Sequence, residues 1–281
     1  MKAVTDEQCD FYNREGYVHL RSVLPEATIA LGRRILEAWT DWQVSQWLEQ
    51  GHISEGFEAE SFERRLQVAW NAAGQPGYVR SPRRDIATAD TFRFLGDDTL
   101  VDIAEDLLDS PDILAHGVFN ARPKLPDQHW TDTPWHQDAQ YYTDAEHTHV
   151  VSMWVPIVAV TETNSCMQVA PRMHTTGLHE AHDHDTGFIG LSAEMQESTE
   201  GVSIEMEPGD VLCFTQLTPH RALPNRSHAV RWSMDVRFEA LEGATGNGLD
   251  KGFVARCGDA SRVTDCESWL ALWEGMPHGT Y

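Results

Sequence analysis

With 44 acidic against 21 basic side chains in 281 residues, the chain carries a formal net charge of −23. Such a surface repels phosphate backbones and anionic lipid, so neither nucleic acid nor a membrane is an expected partner. No run of about 18 apolar residues offers a membrane span, the opening residues hold no apolar leader segment, and the five scattered cysteines form no C-x-x-C pair, which together point to a reduced, cytoplasmic protein. The acidity reads as a solubilising surface, with attraction for a cationic substrate as the sharper alternative.

In chain order, Thr5 is placed to cap a short helix running to about Glu15, where Gly16 releases the chain into a strand, Tyr17-Val18-His19-Leu20. Ile29, Leu31, Ile35, Leu36 and Trp39 recur at helical spacing and predict a helix from Ala27 to about Trp47. Further helices are expected around Phe62–Ala72 and Leu100–Leu108. From about residue 113 the texture changes to short β-rich runs: Ile113–Arg122, Val150–Val160, Met167–Ala170, Val202–Met206, Val211–Thr215 and Val230–Phe238. Turn chemistry such as Pro208-Gly209-Asp210 separates them. The tail from Glu239 is Gly-rich and offers one short helix near Glu267–Trp273. No repeat or linker divides the chain. Helices first and strands after predict an α+β, mainly β fold in one domain over residues 1–281. In it a helical part to about residue 112 buttresses a jelly-roll (double-stranded β-helix, cupin-like) core over about 113–240, followed by an extension over 241–281.

His136-Gln137-Asp138 is the H-x-D pair of the sequence. Residues two apart on a strand face one side, so His136 and Asp138 could grip one ion together. A third ligand from a distant strand would complete a two-histidine, one-carboxylate facial triad, the ligand set of non-haem Fe(II) oxygenases. Alone, His136 reads equally as a hydrogen-bonded core or surface histidine. The run from Thr218 to Asp235 adds the missing parts: His220 lies 84 residues after His136, and Arg231 and Ser233 share a strand face 11 and 13 residues further on. A buried guanidinium can hold the far end of a dicarboxylate bidentately, and a neighbouring hydroxyl can add a hydrogen bond. The alternative for Arg231 is a salt-bridged strand arginine.

These residues resemble the phytanoyl-CoA dioxygenase family of Fe(II)/2-oxoglutarate oxygenases over about residues 5 to 240. Thr5-Asp6-Glu7-Gln8 through Gly16-Tyr17-Val18 is similar to the family's opening helix and strand, and Trp135-His136-Gln137-Asp138 to its iron segment. Asn164 to His174 is similar to its N-G-x-L-x-V-x-P-G-S-H segment, and Pro208-Gly209-Asp210, His220, Asn225, Ser227 and Arg231 to its closing pattern. The resemblance implies that His136, Asp138 and His220 bind Fe(II), that Arg231 holds the distal carboxylate of 2-oxoglutarate, and that O₂ and the keto acid become succinate and CO₂ as a small-molecule substrate is hydroxylated. It also implies cosubstrate contacts from Gln137, Trp154, Ser233, Asn120 and Lys124. The duller readings are Trp154 as core and Asn120 and Lys124 as solvated strand residues. An intact Asp138 favours hydroxylation, desaturation or ring formation over halogenation, in which the carboxylate position is vacated for chloride.

The chain departs from the family at Ser165, at Arg172-Met173 in place of Gly-Ser, and at Ala222, where relatives can carry a serine. These changes leave the iron segment intact and bear on the substrate end. No basic patch of the kind coenzyme A needs is visible, so phytanoyl-CoA itself is not the expected substrate. Tyr141, Tyr142, Met167 and Arg172 are candidates for the substrate end, with Arg172 gripping an anionic group, although aromatics and methionine on strands are more often core. His174, His179, His182 and His184 fall in an Asp- and Gly-containing loop that reads as a solvated loop or lid rather than a second metal site. A cupin-like metal enzyme without keto acid, and a catalytically silent jelly-roll binding protein, stand as the alternatives.

Overall fold

The computed structural model describes residues 2–77, 79–80, 82–142, 149–244 and 249–279. Its first third is helical: α1 (Asp6–Glu15), strand β1 (Tyr17–Leu20), α2 (Glu26–Glu49), α3 (Phe62–Ala72), α4 (Arg83–Ile86), α5 (Ala89–Leu95) and α6 (Asp98–Leu108). At α1 the Thr5 hydroxyl accepts from the Gln8 amide while the Gln8 side chain accepts from the Thr5 amide, so two otherwise orphaned donors are satisfied. Gly16 ends the helix at φ +85°, and a Cβ there would sit 2.5 Å from His174 Nδ1 and 2.7 Å from Thr218 Oγ1. Both the conformation and the space therefore demand glycine.

The remainder is dominated by strands: β2 (Ile113–Ala115), β3 (Asn120–Lys124), β4 (Thr133–His136), β5 (Val150–Pro156), β6 (Met167–Val169), β7 (His182–Asp183), β8 (Ile189–Gly190), helix α7 (Ala193–Ser198), β9 (Val202–Ile204), β10 (Val211–Thr215), β11 (His220–Ala222), β12 (Arg231–Ala240), β13 (Phe253–Arg256) and helix α8 (Cys266–Ala271). They form a large sheet in the order β1-β10-β5-β12-β2-β13, with β3 also on β12, and a smaller sheet in the order β4-β11-β6-β9. All pairings between these strands are antiparallel, as in a jelly roll whose two sheets enclose an interior.

β12 shows why the sheet buries both faces. Trp232, Met234, Val236 and Phe238 belong to the main apolar cluster. That cluster takes in Leu36 and Trp39 of α2, Leu66 and Trp70 of α3, and Leu100 and Ile103 of α6. The alternate residues, Arg231, Ser233, Asp235, Arg237 and Glu239, are polar, because strand alternation turns them into the space between the sheets. Phe62 stacks on Trp232 at 5.2 Å between ring centroids and Trp39 meets it edge-on at 6.2 Å, which docks the helices on the sheet.

The run expected as one strand over Ile113–Arg122 is broken. Ala115 pairs with Phe238 and Asn120 with Asp235, so four residues, His116 to Phe119, lie against the two residues between those partners on β12. The looped-out stretch carries its carbonyls to arginines: Val118 O accepts from Arg237 and Phe119 O from Arg83. Such irregularities re-aim chain beside functional sites. Replacing Trp232, which is fully buried, by alanine is expected to cost about 3–5 kcal/mol of stability in urea denaturation; a loss below about 1 kcal/mol would contradict helix docking through this ring.

Candidate metal centre

β4 and β11 are adjacent antiparallel strands, and His136 and His220 are directly opposed across them. β4 ends at His136, so Asp138 opens a turn of 3₁₀ helix instead of continuing the expected strand. Gln137 nevertheless keeps extended backbone angles (φ −110°, ψ 135°), and the alternation that puts His136 and Asp138 on one side is preserved. One ligand-type atom from each of His136, Asp138 and His220 lies within 4.8 Å of the others. All three residues are buried, and among the described residues no other such group of three or more forms.

The hydrogen bonds fix how each could bind. His136 Nδ1 is 2.9 Å from Pro134 O and His220 Nδ1 is 3.0 Å from Thr218 O. A carbonyl only accepts, so both rings donate from Nδ1 and leave Nε2 as a bare lone pair, the tautomer a metal ligand needs. Burial, with His220 alongside, pushes His136 down to about 3, and burial lowers His220 as well. Burial alone would raise Asp138, but Arg237, aided by His220, holds its carboxyl well below the usual carboxylate range. Arg237 donates from Nε to Oδ2 at 3.0 Å and from Nη2 to Oδ1 at 2.9 Å, and the Ser152 hydroxyl donates to Oδ2 at 2.5 Å. The carboxylate is thus ionised and fixed in orientation.

Beside this group lie a cavity of about 350 Å³ and a smaller one of about 40 Å³; His136, Asp138 and Arg231 line both. Arg231 is 3% exposed and donates from Nη1 to Ser233 Oγ at 2.6 Å. Its guanidinium lies 5.2 Å from the centroid of the Trp154 ring, while its Nε has no hydrogen-bond partner. Burial pulls it down to about 10, so it stays a cation at neutral pH. A buried, singly engaged guanidinium fits the far carboxylate of a keto acid. Lys124, directly opposite Arg231 across β3 and β12, is also buried and donates to Thr131 O and Asp132. Asn120 lines the larger cavity with it, while Trp154, Met167 and Ala222 line the smaller one.

Other expected contacts fall elsewhere. Gln137 faces away from the cavity: its amide donates to Gly177 O and Leu217 O and accepts from the His179 amide, which uses it as a strut for the neighbouring loop. The alternation that brings His136 and Asp138 together necessarily turns Gln137 outward. Ser233 lines neither cavity and instead bonds Arg231 from behind. Arg172, with a side chain 72% exposed, is tied to Glu15 and lines neither cavity. Tyr141 and Tyr142 do line the larger one, where the Tyr141 hydroxyl bonds the backbone of Ile189. The histidine-rich loop holds no metal-binding group among the described residues. It forms the β7–β8 hairpin, whose residues Gly187, Phe188 and Ile189 line the cavity.

The cavity also goes against the alternative of a cationic substrate, since its lining carries Arg80, Arg83, Arg122, Lys124, Arg231 and Arg237. Sequence reasoning missed Arg237, Ser152, Arg122, Arg83 and Arg80. Arg237 had a signal, being six residues past Arg231 on the same strand face.

Residues 12–233 match the family model described as phytanoyl-CoA dioxygenase (PhyH). The chain is similar to the methylphosphonate hydroxylase of Gimesia maris, 26% identical over 241 residues that cover 85% of this chain and 82% of the relative. It is also similar to the 1-deoxypentalenic acid 11-beta-hydroxylase of Streptomyces arenae, 24% identical over 243 residues, 82% and 79% of the two chains. Among solved structures, the epimerase SnoN in complex with Fe3+, alpha ketoglutarate and nogalamycin RO shares the fold, with a TM-score of 0.55 at 16% identity over 98% of this chain and 91% of that one.

Replacing Arg237 by leucine is expected to weaken binding of a divalent ion about 10–100-fold, read by calorimetric titration of Fe(II); wild-type affinity would remove it from the support of Asp138. The buried neutral histidines set a pH dependence for the metal-free protein. Their folded pKa values lie below the unfolded value, so the unfolded chain binds more protons below about pH 6.5. Stability should fall as pH drops below about 6.5, by up to about 1.4 kcal/mol per pH unit per histidine, and for His136 the fall should continue toward its folded value of about 3. Urea titrations at several pH values check this, and the paired substitutions His136→Gln and His220→Gln should flatten the slope.

Proposed function

The chain belongs to the phytanoyl-CoA dioxygenase (PhyH) family, and from that membership we propose that it is an Fe(II)- and 2-oxoglutarate-dependent oxygenase that hydroxylates an unactivated C–H bond of a small molecule. The reaction consumes one O₂ and one 2-oxoglutarate and releases succinate and CO₂. The observation that carries this reading is the pairing of a His136, Asp138 and His220 cluster with the buried Arg231 guanidinium on the walls of one cavity. In it, Nε2 of each histidine and one oxygen of Asp138 would hold the iron. Bound there, iron supplies the oxidative chemistry that links decarboxylation of the keto acid to attack on the C–H bond. Hydroxylation is favoured over halogenation because the carboxylate position is filled by Asp138.

The chain's own residues then bind, aim and exclude water. Arg231 receives the far carboxylate of 2-oxoglutarate. Ser233 and Trp154 hold its plane from behind and from one face. Lys124, pulled down to about 8 by burial, adds a second positive charge and Asn120 a polar wall. Arg237 and Ser152 keep Asp138 ionised and oriented, and Tyr141 and Phe188 line the cavity beside it. A single apolar cluster runs through the helices and the large sheet, which supports treating them as one catalytic unit. The five free cysteines suit a reducing, cytoplasmic setting, and no helix among the described residues is long and apolar enough to cross a membrane.

Succinate formed from 2-oxoglutarate should require Fe(II) and O₂, and His136→Ala or Asp138→Ala should reduce it to background. Arg231→Lys, which replaces a planar fork by a point charge, should raise the KM for 2-oxoglutarate about tenfold or more. Succinate release independent of the metal, or an unchanged KM, would contradict these roles.

A further inference from the structure

The larger cavity carries a charge opposite to that of the whole chain. Acidic residues outnumber basic ones 44 to 21 in the sequence, so an ordinary wall would hold about two carboxylates per cation. Instead six cationic side chains line this cavity, and Asp138 is the lone carboxylate among its described lining residues; Asp132 and Asp235, outside that lining, pair with Lys124 and Arg122, which leaves the wall an excess of positive charge. Low-dielectric walls with one sign of charge concentrate ligands of the opposite sign.

The positions of these cations are built. Asn120, Arg122 and Lys124 alternate along β3 onto the cavity face. Arg122 is anchored through Nε to Asp235 Oδ2 at 2.7 Å, its side chain is 35% exposed, and it lines the cavity. Arg83, at the start of α4, donates from Nε to Phe119 O at 2.9 Å and from Nη2 to Asn120 Oδ1 at 3.4 Å, which holds its guanidinium against the same strand. Arg80 and Phe188 also line the cavity, with the Arg80 guanidinium carbon 5.8 Å from the Phe188 ring centroid. Arg231 and Lys124 are assigned to 2-oxoglutarate and Arg237 to Asp138, so Arg80, Arg83 and Arg122 stand outside both sets. Planar guanidinium forks are suited to carboxylate, phosphonate or phosphate oxygens.

We propose that the primary substrate is a small anion whose carboxylate or phosphorus oxyanion is held by Arg83 and Arg122, with Arg80 at the rim, while its target C–H bond faces His136 and Asp138. The assignment rests on the oxygenase reading for the location of the iron, but the anion site itself rests on the arginines. The volume of about 350 Å³, shared with the cosubstrate, restricts the substrate to a small molecule.

The test uses four matched probes: butylphosphonate, pentanoate, pentan-1-ol and pentylamine. Each is titrated into the full chain with saturating Fe(II) and 2-oxoglutarate under anaerobic conditions. Binding is followed by the iron-to-keto-acid charge-transfer band and, independently, by calorimetry. We expect one or both anions to bind at least tenfold more tightly than the alcohol and the amine, their ranking separating phosphorus oxyanion from carboxylate. Arg83→Gln and Arg122→Gln should each remove about tenfold of that preference, and Arg122→Lys should restore part of it. Equal or tighter binding of the alcohol or amine, no calorimetric response to either anion, or a preference untouched by both glutamine variants would overturn the proposal. Absence of the charge-transfer band alongside a retained anion preference would sink the iron and 2-oxoglutarate reading and leave the anion site standing.

Discussion

A carboxylate that is 3% exposed cannot stay ionised inside a protein without compensation. For Asp138 the compensation comes from across the interior. Asp138 lies two residues past the end of β4 of the small sheet, whereas Ser152 on β5 and Arg237 on β12 belong to the large one. Arg237 and Ser152 are Cα partners in the register of those two strands, so both donors arrive from one cross-strand pair. The bond to Asp138 therefore ties the two sheets together at the point where they meet the cavity. Removing Asp138 or Arg237 would leave a buried charge unpaired, and removing Ser152 would cost the carboxylate one donor; the tie between the sheets also aims the carboxylate.

That tie is one rung of a longer polar stripe. Arg231, Ser233, Asp235 and Arg237 project from one face of β12, opposite Lys124, Arg122 and Asn120 on β3. Fully buried aromatics and aliphatics on the reverse face hold the helices. One strand thus serves both as the floor of the apolar core and as the wall of the site. The arrangement places cosubstrate binding, carboxylate support and substrate recognition on neighbouring residues of a single rigid element, which suits a site whose geometry must be held closely.

Much of this was legible where local rules act over enough residues. The cap at Thr5, the stop at Gly16 and the helix over Phe62–Ala72 follow from capping and periodicity. β4 and β11 are only four and three residues long, too short for a period of two to register, so His136 and His220 were connected by motif instead of by strand pairing. Resemblance points Gln137 to the cosubstrate, whereas the alternation that joins its two neighbours turns it outward. The polar stripe of β12 could have been followed beyond Ser233 to Arg237 by the same rule. The sign of the cavity was beyond reach. Net charge averages over the whole surface, and Arg80, Arg83 and Arg122 converge only through tertiary packing. Arg172 was drawn to the substrate end by its place in a family segment, whereas Glu15 at the end of α1 holds it on the outside.

Diffraction at the iron absorption edge from crystals grown anaerobically with Fe(II) and 2-oxoglutarate bears most directly on the central claim. One strong anomalous peak is expected, bonded to His136 Nε2, His220 Nε2 and one oxygen of Asp138, with the far carboxylate of the keto acid on Arg231. A peak at other side chains, no peak at this cluster, or a keto acid bound away from Arg231 would contradict it.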